Sequence, residues 1–174
     1  DYTAKTIQDF KSGTAVFVMP PTPIKCAGAP QKIMYLADGV FRKNGVRDKT
    51  EIIFATAGKA MFGLPLFSNA LDKIVKEKDI HPRFQHKIAG VDAAQKLAFF
   101  DVTDANGKVE RKSIKFDMLH IVPTMSAHDF ISRSALAVKE GDQKGWLDVD
   151  KFTLQHNRFP NIFGIGDVTG IPNS

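Results

Sequence analysis

Cys26 is the residue whose type and setting carry the clearest chemistry. A thiol reacts as its thiolate, and positive charge nearby favours that form. Lys25 precedes it, and a helix is expected to begin a few residues later, with Pro30 suited to its first turn. A free cysteine is commonly a small core residue. What sets this one apart is its place in a loop after a buried strand, at the edge where α/β sheets put their ligand sites. Gly164-Ile165-Gly166-Asp167 is the second candidate. Its glycines permit a tight turn and close backbone approach, and its aspartate could accept from a ribityl or ribose hydroxyl. A strand-to-helix turn with no ligand uses the same residues, so this motif alone is weak.

Other chemistry is excluded or left bland. The first strand is followed by Pro-Pro-Thr-Pro-Ile-Lys-Cys rather than Gly-x-Gly-x-x-Gly, so the pyrophosphate fingerprint is missing where a dinucleotide domain carries it. Prolines offer no N–H to a phosphate. His81, His86, His120, His128 and His156 show no metal-ligand spacing. No Gly-x-Ser-x-Gly nucleophile elbow occurs. Trp146, after Gly145, reads as a packing residue.

The elements that would position these residues follow from periodicity. Asp1 to Lys11 has helical spacing through Ile7 and Phe10. Ala15 to Met19 is a continuous apolar run, the pattern of a parallel strand buried on both faces, ended by Pro20, Pro21 and Pro23. Ile33, Leu36, Ala37, Val40 and Phe41 mark a helix stopped at Asn44-Gly45. Glu51 to Ala57 reads as a second buried strand. Phe67, Ala70, Leu71, Ile74 and Val75 mark a second helix. Phe84 to Val91, Lys96 to Val102 and Val109 to Phe116 then form an antiparallel meander, with Asn106-Gly107 as a hairpin turn. Met118 to Val122 is a further strand, Trp146 to His156 a mixed linker, and Asn161 to Ile165 the last strand. The expected fold class is α/β: a Rossmann-like three-layer domain with a parallel sheet and an antiparallel meander. Residues 1–125 would form a central domain of nucleotide-binding type with the meander, and 126–174 a linker with the start of a further segment.

The 174 residues can bury a substantial core, and 43% hydrophobic with 25% charged is ordinary for a globular chain. The net charge of +5 is spread along the sequence, so no nucleic-acid footprint is expected; the basic stretch from His81 to Lys87 reads as a loop or strand edge. No apolar run is long enough to span a bilayer. A start at Asp1 and a stop at Ser174, soon after the Gly-Asp turn, suggest a piece of a longer protein.

Several segments together resemble one family. Pro23 to Leu36, around Lys25-Cys26-Ala27-Gly28-Ala29-Pro30, resembles the active-cysteine segment of the sulfide:quinone oxidoreductases. Asp117 to Ser126, containing Pro123, resembles the family's proline-rich segment near the flavin. Gly145 to Asp150 and Thr153 to His156 match its linker, and Phe159 to Asp167 resembles its second FAD-contacting motif. The resemblance implies a flavoenzyme of the pyridine nucleotide-disulfide oxidoreductase superfamily. Its FAD would be bound mostly by regions outside this chain, with Gly166, Asp167 and Pro123 contributing here. It implies sulfide or a small thiol as substrate, Cys26 as sulfur-carrying catalytic residue, and a membrane quinone reached through a C-terminal region. It further implies a homo-oligomer and a parent peripheral to a bacterial cytoplasmic or mitochondrial inner membrane, while the isolated fragment is soluble and inactive. One departure stands out. The family's second redox cysteine usually follows the aspartate of the Gly-Asp turn, and here that position is Val168. The alternatives are an NADH dehydrogenase-type flavoprotein, a divergent member without sulfide oxidation, and a non-catalytic domain.

Overall fold

The computed structural model describes residues 1–21 and 24–171. Pro23, expected to help end the first strand, and Pro172 and Asn173 near the chain's end lie outside them. Contacts divide the chain into two compact units. One comprises Asp1–Pro21 with Ala27–Val122; the other comprises the described residues of Thr22–Cys26 and Pro123–Ser174.

The first unit has the expected α/β order. Helix α1 (Tyr2–Asp9) is capped by the Asp1 carboxylate, which accepts from the Ala4 amide at 3.2 Å. Strand β1 (Gly13–Met19) leads to α2 (Ala29–Lys43), β2 (Thr50–Thr56) and α3 (Pro65–Glu77). A short strand β3 (Ile80–Arg83) follows, then β4 (His86–Asp92), β5 (Leu97–Thr103), β6 (Val109–Lys115) and β7 (Met118–Ile121). The four-stranded sheet has the order β3-β2-β1-β7 and is parallel throughout, while β4-β5-β6 form an antiparallel sheet. Val16, Val18, Ile53 and Ala55 point to one face of the parallel sheet and pack with Ala98 and Phe100 of the meander. Ala15, Phe17, Ile52 and Phe54 point to the other and pack with Met34, Ala37 and Phe41 of α2. Both faces of β1 and β2 are therefore covered, which is why they read as unbroken apolar runs.

The structure refines the sequence expectation in one place and departs from it in two. Of the two readings of the basic stretch, loop or strand edge, its start takes the second: β3 is an edge strand beside β2, where Pro82 removes no interior ladder bond. The buried face of α2 is rotated, so that Met34 and Asp38 point inward while Leu36 is 66% exposed. Asn161 to Ile165 does not form a strand. It makes one isolated bridge, Gln155 to Phe163, and its apolar side chains Phe163 and Ile165 stay exposed.

Inside the first unit, Asp38 is fully buried among cations. Its carboxylate accepts from Arg47 Nε at 2.9 Å, Arg42 Nε at 3.0 and 3.1 Å, and Lys78 Nζ at 2.8 Å. Arg47 also donates to the carbonyls of Thr50, Lys78 and Asp79, tying the ends of α2 and α3 to the start of β2.

The second unit is built from turns around a small core of Ala127, Ile131, Trp146 and Leu147. Its short helix α4 spans Asp129–Ser132. The segment expected to be a linker supplies half of that core. The buried ring of His156 acts as a staple: Nε2–H donates to the Leu136 carbonyl at 3.0 Å, and Nδ1 accepts from the amides of Arg158 and Phe159. Gly164 packs so closely on Leu147 that a Cβ there would overlap the leucine side chain. Gly164→Ala is expected to cost about 1–3 kcal/mol through overpacking, read as a lower urea midpoint by Trp146 fluorescence.

Candidate functional site

The second unit joins two stretches that are distant in sequence: the Cys26 segment and the turn that follows Gly164-Ile165. Cys26 is exposed. Lys25, beside it, is only 4% exposed. The Lys25 ammonium donates to the carbonyls of Thr169 and Ile171, each at 2.7 Å, and lies 4.1 Å from the centroid of the Trp146 ring. The Lys25 amide points at Met125 Sδ at 3.3 Å. Burial pushes the ammonium's pKa down, and the nearby Asp167 charge partly opposes that. Sequence reasoning sets this charge beside the Cys26 thiol; its hydrogen bonds run instead to the far end of the chain.

Gly166, Asp167 and Val168 form one 3-10 turn. Thr169 closes it, its amide and hydroxyl both donating to the Gly166 carbonyl at 3.2 and 2.9 Å. Gly166 has φ +73°, and a Cβ there would meet no atom within 4 Å, so the backbone is open to a ligand. Asp167 is exposed on the same turn. An open glycine followed by an exposed carboxylate suits a polyol such as a ribityl chain, whose hydroxyls donate to carboxylate oxygens. Val168 turns partly inward against the core. A cleft of about 280 Å³ is lined by Lys25, Met125, His128, Trp146, Asp167 and Val168, among others. Among the described residues its lining includes none of Cys26, Gly166 and Pro123. Pro123 is exposed just after β7 in the sequence.

The structure thus places Cys26, Gly166, Asp167 and Pro123 in one unit and joins the first three through Lys25. Lys25 as an anchor, and Trp146 as the ring beneath it, were not legible in the sequence. Lys25 and Thr169 are 144 residues apart, and no local pattern connects them.

Helix α2 starts with Gly28 as cap and Pro30 in its first turn, where proline has no N–H to offer a phosphate. The Gln31 side chain donates to the Met61 carbonyl, and Met61 itself is buried in the core. No group of three or more His, Cys, Asp or Glu among the described residues could hold a metal ion. No helix among them is long and apolar enough to cross a membrane.

No protein-family profile matches the chain. Among curated proteins it is 47% identical over 172 residues to the mitochondrial sulfide:quinone oxidoreductase of Mus musculus, covering 99% of this chain and 37% of that protein. It is 39% identical to the corresponding protein of Dictyostelium discoideum, covering 99% of this chain and 36% of that one. The chain therefore spans little more than a third of these relatives' length. Among solved structures, the sulfide:quinone oxidoreductase of Aquifex aeolicus superposes with a TM-score of 0.72 at 17% identity, over 99% of this chain and 41% of that one. NDH2 of Plasmodium falciparum, solved with NADH, superposes with a TM-score of 0.61 at 16% identity, over 96% of this chain and 33% of that one. At such identities the likeness is one of fold. The family this chain matches in sequence, over 99% of its own length and 37% of the mouse relative's, is that of the sulfide:quinone oxidoreductases.

Proposed function

We propose that this chain serves as a central segment of a flavin-dependent sulfide:quinone oxidoreductase. The supporting observation is the joining of the Cys26 segment to the Gly166–Val168 turn in one compact unit. Cys26 is the sulfur-carrying residue in this reading: exposed, it can be reached by sulfide or a small thiol, and joining its thiolate sulfur to a sulfide sulfur releases a proton and two electrons, for which bound FAD would be the acceptor. Asp167 and the open backbone at Gly166 hold the ribityl chain of FAD, with Pro123 a further contact. A membrane quinone would be the final acceptor in this reading, reached through parts of the protein outside these residues. The relatives' names support a mitochondrial setting, to which this reading adds a place peripheral to the inner membrane. A homo-oligomer is compatible with this reading.

The absence of Gly-x-Gly-x-x-Gly after the first strand, where prolines stand instead, argues against NADH as donor, because proline offers no N–H to a pyrophosphate. The test is anaerobic titration of the full-length protein, purified with its FAD, using sulfide in one cuvette and NADH in the other. Loss of flavin absorbance with sulfide alone is expected. Rapid reduction by NADH with none by sulfide would favour the NADH dehydrogenase-type alternative.

A further inference from the structure

Lys25 is a charged side chain placed where a charge is costly. It is almost fully buried, and a buried ammonium persists only when its donors are bonded. Here two of them reach the Thr169 and Ile171 carbonyls, and the aromatic face of Trp146 lies close to the same nitrogen. The acceptors are not scattered. Thr169 is the residue that closes the Gly166–Val168 turn through two bonds to the Gly166 carbonyl. Gly170 and Val168 are in turn paired to Leu147, whose amide donates to Val168 and whose carbonyl accepts from Gly170. A continuous line of bonds therefore runs from the backbone beside Cys26, through the Lys25 side chain, to the turn that carries Asp167 and Val168.

We propose that Lys25 is a positioning residue: its buried ammonium sets where Cys26 stands relative to the Gly166–Val168 turn. The consequence for turnover rests on the function proposed above, where the thiol must sit beside a group held at Asp167. The positioning itself does not depend on that reading. A purely stabilising lysine would change the unfolding midpoint and leave the geometry of the thiol alone.

The chain's single cysteine makes the test direct. Val168→Cys adds a second thiol on the turn. In glutathione buffers, one glutathione disulfide takes up two electrons and two protons as the two protein thiols join, giving two glutathione thiols. The equilibrium constant is the effective concentration of the protein pair. Lys25→Met in this background is expected to lower it about tenfold or more, and Lys25→Arg, which keeps charge and donors, to stay within roughly threefold of the lysine chain. Equal values for methionine and lysine in folded chains would overturn the proposal. If Lys25→Met loses the near-ultraviolet signal of Trp146, the comparison passes to Lys25→Gln against Lys25→Arg, and equality there overturns it too. If no disulfide forms in any background, a nitroxide on Cys26 of the Val168 chain decides: a more mobile label in Lys25→Gln upholds the proposal, and unchanged mobility overturns it. None of these measurements reads sulfide oxidation, so their failure would leave the proposed function standing, and a flavin inert to sulfide would leave the role of Lys25 standing.

Discussion

Asp38→Ala is expected to destabilise the first unit by about 3–5 kcal/mol, the range for removing one partner of a buried ion pair. The side chain has no solvent exposure, and Arg47, itself nearly buried, faces it at 2.9 Å. Removing the carboxylate leaves that guanidinium with three carbonyls and no counter-charge. Arg42 and Lys78 are more exposed and can turn to water, so they contribute less. The measurement is a urea titration followed by far-ultraviolet circular dichroism. Asp9→Ala, which breaks the exposed pair with Lys5, serves as the control and should leave the midpoint in place. The effect also has a pH signature. Burial raises the Asp38 pKa, but the hydrogen bonds from Arg42, Lys78 and Arg47 outweigh it, and the folded value lies below the ordinary carboxylate range. Its contribution is therefore full above the unfolded pKa of about 3.9 and fades as pH falls through the lower folded value. The gap between wild type and Asp38→Ala should close in acid.

Under the function proposed above, Cys26→Ser is expected to lower the rate of sulfide-dependent flavin reduction in the full-length protein by roughly 10³-fold or more, as removal of a nucleophile does. FAD content should not change, because the groups assigned to the flavin are Gly166, Asp167 and Pro123. Stopped-flow absorbance at the flavin band measures the rate, and the flavin spectrum of the purified protein gives the content. Equal rates in the wild-type and Cys26→Ser enzymes would remove this thiol from the reaction. Val168→Cys bears on the same chemistry from the other side. By resemblance that position usually carries the second redox cysteine, so the substitution should raise the rate if Val168 is what limits it. Val168 packs partly against the small core, and a cysteine is smaller, so a modest loss of stability of about 1 kcal/mol is expected alongside.

The sheet's interior was legible because burial on both sides leaves a strong mark. Ala15 to Met19 and Glu51 to Ala57 have the pattern of strands covered twice, and β1 and β2 are. The meander was legible from its turn, where Gly107 has φ +82° and the Asp104 carboxylate accepts from the amides of Asn106 and Lys108. Strand β3 was legible only as one of two readings, since Ile-His-Pro-Arg has no apolar alternation and forms only because the flank of β2 is open to it. Asp38 was hidden because a charge on an apolar helix face looks like an error until its partners are known. Two of them, Arg47 and Lys78, lie 9 and 40 residues away. In the second unit, types and motifs were readable and geometry was not. Asn161 to Ile165 has the composition of a strand, but its pairing stops at the single bridge from Phe163 to Gln155. The sequence singles out the Cys26 loop as a candidate, whereas the bond that anchors it depends on Thr169, 144 residues away.

The pairing of β7 with β1 has a consequence for the birth of the chain. Thr14 and Asp117, at the starts of the two strands, are hydrogen-bonded across 103 residues. While the protein is being made, β1 and β2 can pair early, but the other flank of β1 must wait for β7 to leave the ribosome. At roughly 5–20 residues per second, that wait lasts about 5–20 s. The meander strands, which pair with near neighbours, can close first and shelter one face of the nascent sheet. The unpaired flank of β1 has no such shelter. For those seconds it is an open template for any other extended strand, which makes this stretch the natural point for a chaperone to intervene.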